Sequence, residues 1–134
     1  MQQALYAISL IVPDYDAAIA FYCGTLGWDL AEDIAQTTEH GPKRWVRIVP
    51  PGSGEAGSSL ILAQARSPRQ AAAIGAQFGG RVGLFLKTDN FERDHAAMRA
   101  KGIQFEEDPR HEPYGMVAVW QDPFGNRWDL LELR

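Results

Sequence analysis

Apolar residues along this chain change their period in the same order twice. Leu5 to Val12 is rich in Ile, Leu and Val and reads as a strand. Pro13 and Asp14 stop it, and Asp14 can accept backbone N–H groups at the start of a helix. Ile19, Tyr22 and Leu26 then recur at i, i+3 and i+7, one helical face, and Gly27 supplies an end that tolerates positive φ. Residues 28–33, 44–49 and 59–64 read as strands, with 34–43 a polar loop and Pro50-Pro51-Gly52-Ser53-Gly54 a turn. Ser67-Pro68 opens a short helix ended by Gly79-Gly80. The pattern then restarts: strand 82–88, helix 90–101, strand 103–107, strand 116–121, turn 122–126 and strand 127–133. Asp89 and Gly102 follow Asp14 and Gly27 by the same offset of 75 (89 − 14 and 102 − 27).

The repeat predicts an α+β fold of two βαβββ modules, residues 1–65 and 81–134, joined by a linker helix in 66–80. Modules of this kind bury a core by packing together. The expected product is an open, curled, mixed sheet around a central cleft, the kind of place where small molecules bind.

Strand side chains alternate between faces, so the purely apolar set of each strand is expected against the helix. Tyr6, Ile8, Leu10, Val46, Ile48, Leu84, Leu86, Val117, Val119, Trp128 and Leu130 go to that side. Trp45, Arg47, Phe85, Lys87, Met116, Trp120, Arg127 and Asp129 then line the cleft, together with Leu60 and Leu62. Aromatic walls with a few fixed polar groups describe a small-molecule pocket. A one-residue slip would invert any of these assignments.

Composition narrows the function. The chain has 134 residues, 46% of them hydrophobic, enough for a core, and a net charge of −4 that does not suit nucleic acid. No apolar run has a membrane-spanning length, and no leader pattern opens the chain. Cys23 is the single cysteine, so no internal disulfide forms; the expectation is a cytoplasmic protein. No catalytic constellation stands out. The glycines of 52–57 lack a following Lys-Ser/Thr, and Ser58-Ser59 has no nearby His. His95 falls on the packed stripe of the second helix, while His40 and His111, the latter beside Glu112, fall in loops.

The duplicated pattern, the Asp14…Phe21-Tyr22…Leu26-Gly27 stretch and the turn Asp122-Pro123-Phe124-Gly125-Asn126 before Arg127-Trp128-Asp129 resemble the vicinal oxygen chelate superfamily. Its members include glyoxalase I, extradiol dioxygenases, fosfomycin-resistance enzymes and bleomycin-binding proteins. The resemblance covers essentially the whole chain and implies paired βαβββ modules, usually in a homodimer. Metal-dependent members take His or Glu ligands from the first and last strands of each module. Carried over, those positions are Ala7, Leu62, Gly83 and Asp129, of which only Asp129 can coordinate an ion.

The reading that follows is a protein that binds a small aromatic or anionic molecule in its cleft without a metal or other cofactor. Trp45 and Trp120 would stack on the ligand, and Arg47 and Arg127 would pair with an anionic group. The alternative is a metal-dependent lyase, isomerase or dioxygenase with a displaced ion held by His40, His111, Glu112 or Asp129. A third class is an accessory protein whose dimer surface matters more than its cleft.

Overall fold

A computed structural model describes residues 1–134. Its first sheet forms where the sequence alternates most cleanly. β1 (Ala7–Val12) lies parallel to β4 (Ser59–Gln64), and β3 (Gly41–Val49) and β2 (Asp29–Thr38) continue antiparallel in the order β1-β4-β3-β2. The second sheet repeats the plan. β5 (Leu84–Lys87) is parallel to β9 (Arg127–Leu133), then comes β8 (Gly115–Gln121), whose outer edge is shared by β6 (Gln104–Phe105) and β7 (Arg110–Glu112). Both sheets are open and mixed, and they fall in two compact units, Met1–Ala71 and Ala72–Arg134. The short helix α2 (Pro68–Ala73) begins as the sequence predicts, with Ser67 Oγ accepting from Gln70 N at 3.1 Å.

Each sheet carries one helix, placed by the same pair of hydrogen bonds. α1 (Tyr15–Ile19) is capped by Asp14, which accepts from Ala17 N at 2.8 Å; α3 (Phe91–Ala100) is capped by Asn90, which accepts from Arg93 N at 3.0 Å. A side chain at the end of the last strand then reaches the first turn. Gln64 Oε1 accepts from Tyr15 N at 3.0 Å, and Glu132 Oε1 from Phe91 N at 2.7 Å. The second cap is therefore Asn90 rather than Asp89, and the repeat offset at the caps is 76 (90 − 14). At the glycines it falls to 75, because α1 runs into a π-helical turn (Ala20–Thr25) that absorbs one extra residue. Leu26 N reaches back five residues to Phe21 O at 3.0 Å. Gly27 and Gly102 end both helices at positive φ, +76° and +85°.

The turn 122–126 is held by its own side chains. Asp122 Oδ1 accepts from Phe124 N and Asn126 N, each at 2.9 Å, and Asp122 Oδ2 from Asn126 Nδ2 at 2.7 Å. Gly75 lets this turn approach, since a Cβ there would stand 2.2 Å from Phe124 O.

Other expectations need correction. Residues 34–43 are not a loop but the paired halves of a long hairpin, Ile34 facing Trp45 and Thr38 facing Gly41. β1 starts at Ala7, so Tyr6 does not pack beneath α1; its exposed ring lies under the Arg47 guanidinium, 5.5 Å from the centroid. Leu60 and Leu62 pair with Ile48 and Val46 and share the face of Gln64, which carries α1. They belong to the helix side, and strand alternation puts Ser59, Ile61 and Ala63 on the other.

Candidate functional site

Far face here means the side of each sheet turned away from its own helix. In the first unit that face carries Trp45 and Arg47 from β3, Glu32 and Ile34 from β2, and Ser59 and Ile61 from β4, as cross-strand register requires. Glu32 is the centre of the group. Its Oε1 accepts from Arg47 Nε at 2.6 Å and from Trp45 Nε1 at 3.3 Å, which holds its carboxyl below the usual carboxylate range. Arg47 also donates to Ser59 Oγ at 3.0 Å and to Glu55 Oε1 at 3.5 Å. Its side chain is only 8% exposed, so the guanidinium is spent inside the protein rather than offered to an anion. Glu32 reaches this position after a register shift between Leu30 and Glu32. Two acidic residues, Glu32 and Asp33, next to a Trp-x-Arg strand were the available signal, and reading 34–43 as a loop hid it.

In the second unit Phe85 and Lys87 of β5 stand beside Asp129 and Leu131 of β9. Lys87 is exposed, and so is Phe85, at 63%. Arg127 is engaged by both oxygens of Glu106, each at 2.8 Å, and donates to Gly80 O at 2.9 Å. Arg110 is likewise held by Glu107 at 2.9 Å and Glu112 at 2.6 Å. The Glu106-Glu107 run, which reads in sequence as a solvated edge, therefore neutralises both arginines of this face. Asp129 has a buried Oδ1 with no hydrogen-bond partner, and burial pushes its carboxyl above the ordinary carboxylate range.

Trp120 and Met116 do not join this group. Trp120 pairs directly with Trp128, Ala118 with Leu130, and Met116 with Glu132, the residue that caps α3. Directly opposed residues share a face, so all of these lie on the helix side. Trp120 is fully buried, its ring stacked on Trp128 at 5.1 Å and 10°. Val117 and Val119, paired with Leu131 and Asp129, occupy the far face instead. The sequence reading went wrong here because β8 is apolar on both sides, so composition did not reveal its register.

The residues present do not fit the divalent ion of metal-dependent relatives. Matching Gln64 to Glu132 makes Ile61, not Leu62, the counterpart of Asp129. Ala7, Ile61 and Gly83 offer no side-chain donor atom. No group of three or more His, Cys, Asp or Glu side chains gathers anywhere to hold a metal. His111 pairs with Met116 and so points to the opposite face from Asp129, Glu112 is bound by Arg110, and His40 sits exposed beside Glu39 at 3.4 Å. His95 lies between Phe91 and Phe105, at 5.4 and 4.4 Å between ring centroids, as a packed structural residue.

Two open mixed sheets, of four and five strands and each with one helix, agree with what comparison with known proteins finds. The sequence model of the Glyoxalase/Bleomycin resistance protein/Dioxygenase superfamily matches residues 4–130. The chain belongs to this superfamily. An uncharacterized protein of Shewanella frigidimarina is 50% identical over 99% of this chain and 96% of its own. Among solved structures of the superfamily fold, UcmS2 superposes with a TM-score of 0.81 at 26% identity, covering 98% of each chain. TnmS3, an antibiotic binding protein from Streptomyces sp. CB03234, superposes at 0.74 with 30% identity over 99% of this chain and 98% of that one.

Proposed function

We propose that this protein binds a small, planar, aromatic molecule on the far face of its second sheet, without a divalent ion and without chemical conversion. Phe85 is the stacking surface, Arg127 is polar framework, and Lys87 and Asp129 are the polar groups beside that ring; Trp45 and Arg47 belong to the first unit's own face, where Glu32 holds both. What carries the reading is the exposed ring of Phe85 on a face whose arginine is already neutralised by Glu106. Such a surface offers π faces and little net positive charge, which favours an uncharged aromatic over an anion. The description of TnmS3 as an antibiotic binding protein supports the same class of function. A homodimeric state and a cytoplasmic setting belong to this proposal and rest on the family resemblance and the single cysteine.

Calorimetric titration with naphthalene-based compounds in the presence of EDTA tests it. Saturable binding is expected, weakened roughly tenfold by Phe85→Ala, a loss of one aromatic contact, and unchanged by Trp45→Ala. Binding seen only when zinc replaces EDTA, or binding that ignores Phe85→Ala, would refute the proposal.

A further inference from the structure

We infer that Asp129 is the specificity-determining polar anchor of the second unit, accepting a hydrogen bond from a hydroxyl or N–H group carried by the bound aromatic molecule. The inference rests on the aromatic-binding reading above and deepens it by naming the chemistry the ligand must carry.

Four observations converge on this residue. Asp129 lies directly beside Phe85 across the β5–β9 pair and opposite Val119 across β8–β9, so its carboxyl sits between an exposed ring and an aliphatic wall. Its Oδ1 is buried without a donor, while the residue as a whole stays partly exposed. The cations that could have paired with it are committed elsewhere, Arg127 to Glu106 and Arg110 to Glu107 and Glu112. Burial raises its pKa, and the opposing influences of Arg110 and Arg127 are offset by Glu107 and Glu106. A poorly solvated carboxylate with an unfilled acceptor costs stability unless something supplies a donor. An aromatic ring laid on Phe85 brings its own substituents within reach of the carboxyl's accessible oxygen, Oδ2, and a hydroxyl or N–H there stabilises a carboxylate whose Oδ1 is already shut off from water. A ligand carboxylate placed there would meet like charge instead.

The test compares 2-naphthol, 2-methoxynaphthalene and 2-naphthoate by fluorescence titration at neutral pH with EDTA present. The first offers a donor, the second the same ring without one, and the third a charge that exposed Lys87 could attract. Wild-type protein should prefer 2-naphthol to 2-methoxynaphthalene by about tenfold, in line with a hydrogen bond to a charged group. Asp129→Ala should erase that preference while keeping the far-UV circular dichroism spectrum, and Phe85→Ala should weaken both compounds equally. A preference that survives Asp129→Ala, or 2-naphthoate binding tightest of the three, overturns the inference. Equal binding of 2-naphthol and 2-methoxynaphthalene to wild type sinks the role of Asp129 and leaves aromatic binding standing. No binding by any of the three removes both.

Discussion

Asp129 and Arg47 are both charged residues on far faces, and they are treated in opposite ways. Arg47 is surrounded by acceptors from Glu32, Ser59 and Glu55, and its charge is balanced where it lies. Asp129 keeps a buried oxygen without a donor. Because burial raises its folded pKa above the unfolded value, its charged form is penalised in the native state at neutral pH. That penalty is present above the folded pKa, shrinks as pH falls through it, and is gone below the unfolded value, where both states are protonated. Arg110, Arg127, Glu106 and Glu107 also face the group, and their influences oppose one another. Asp129→Asn should therefore raise the melting temperature at pH 7, by roughly 2 °C for a chain of this size. The gain should vanish below about pH 3.5. Thermal unfolding of both proteins at the two pH values checks this; a loss of stability at pH 7 would show that the carboxylate is satisfied in the native state. A residue that costs stability where it sits is a reasonable place to look for function.

Among the elements, the two helices show how a duplicated plan is edited locally. Asn90 to Gly102 spans twelve steps and Asp14 to Gly27 thirteen (102 − 90 and 27 − 14), and the π-helical turn takes up the difference. The extra residue keeps both the cap at Asp14 and the burial of Tyr22 and Trp28. Gly24 sits in this turn, exposed, without positive φ, and with open space where a Cβ would stand. Gly24→Ala should stabilise the protein by about 0.5–1 kcal/mol, because it lowers the entropy of the unfolded chain without strain. Denaturant titration measures it, and a destabilised variant would mean that the turn needs glycine for its backbone. The β2–β3 hairpin makes a related point. Its polar residues 34–43 carry no strand pattern, yet pairing from Asp29↔Val49 to Thr38↔Gly41 holds them extended. Cross-strand hydrogen bonding outweighed local propensity there.

For the molecule as a whole, charge bears on the ligand. The net charge is −4, and the arginines of both far faces are paired within the chain. Affinity for an uncharged aromatic such as 2-naphthol should thus change less than twofold between about 50 and 500 mM salt, because screening acts on exposed charge pairs. A steep loss of affinity with salt would point to an ion-paired ligand instead. Membership of the superfamily agrees with the sheet plan.

The sequence by itself determined the two-fold βαβββ plan, the Asp14 cap, the glycine helix ends and the turn at Asp122, because each depends on neighbours a few residues apart. It also determined that aromatic and charged residues alternate with apolar ones on β3 and β9. Only the tertiary structure decided which way β4 and β8 present their side chains. Both strands are apolar on either face, so their registers against β1, β3 and β9 chose the outcome. Those pairings moved Trp120 and Met116 to the helix side. Pairing and turn geometry likewise brought Glu32 to Arg47 and Glu106 to Arg127. Partners 15 and 21 residues apart meet only after the sheets have formed, which is why no local pattern announced them.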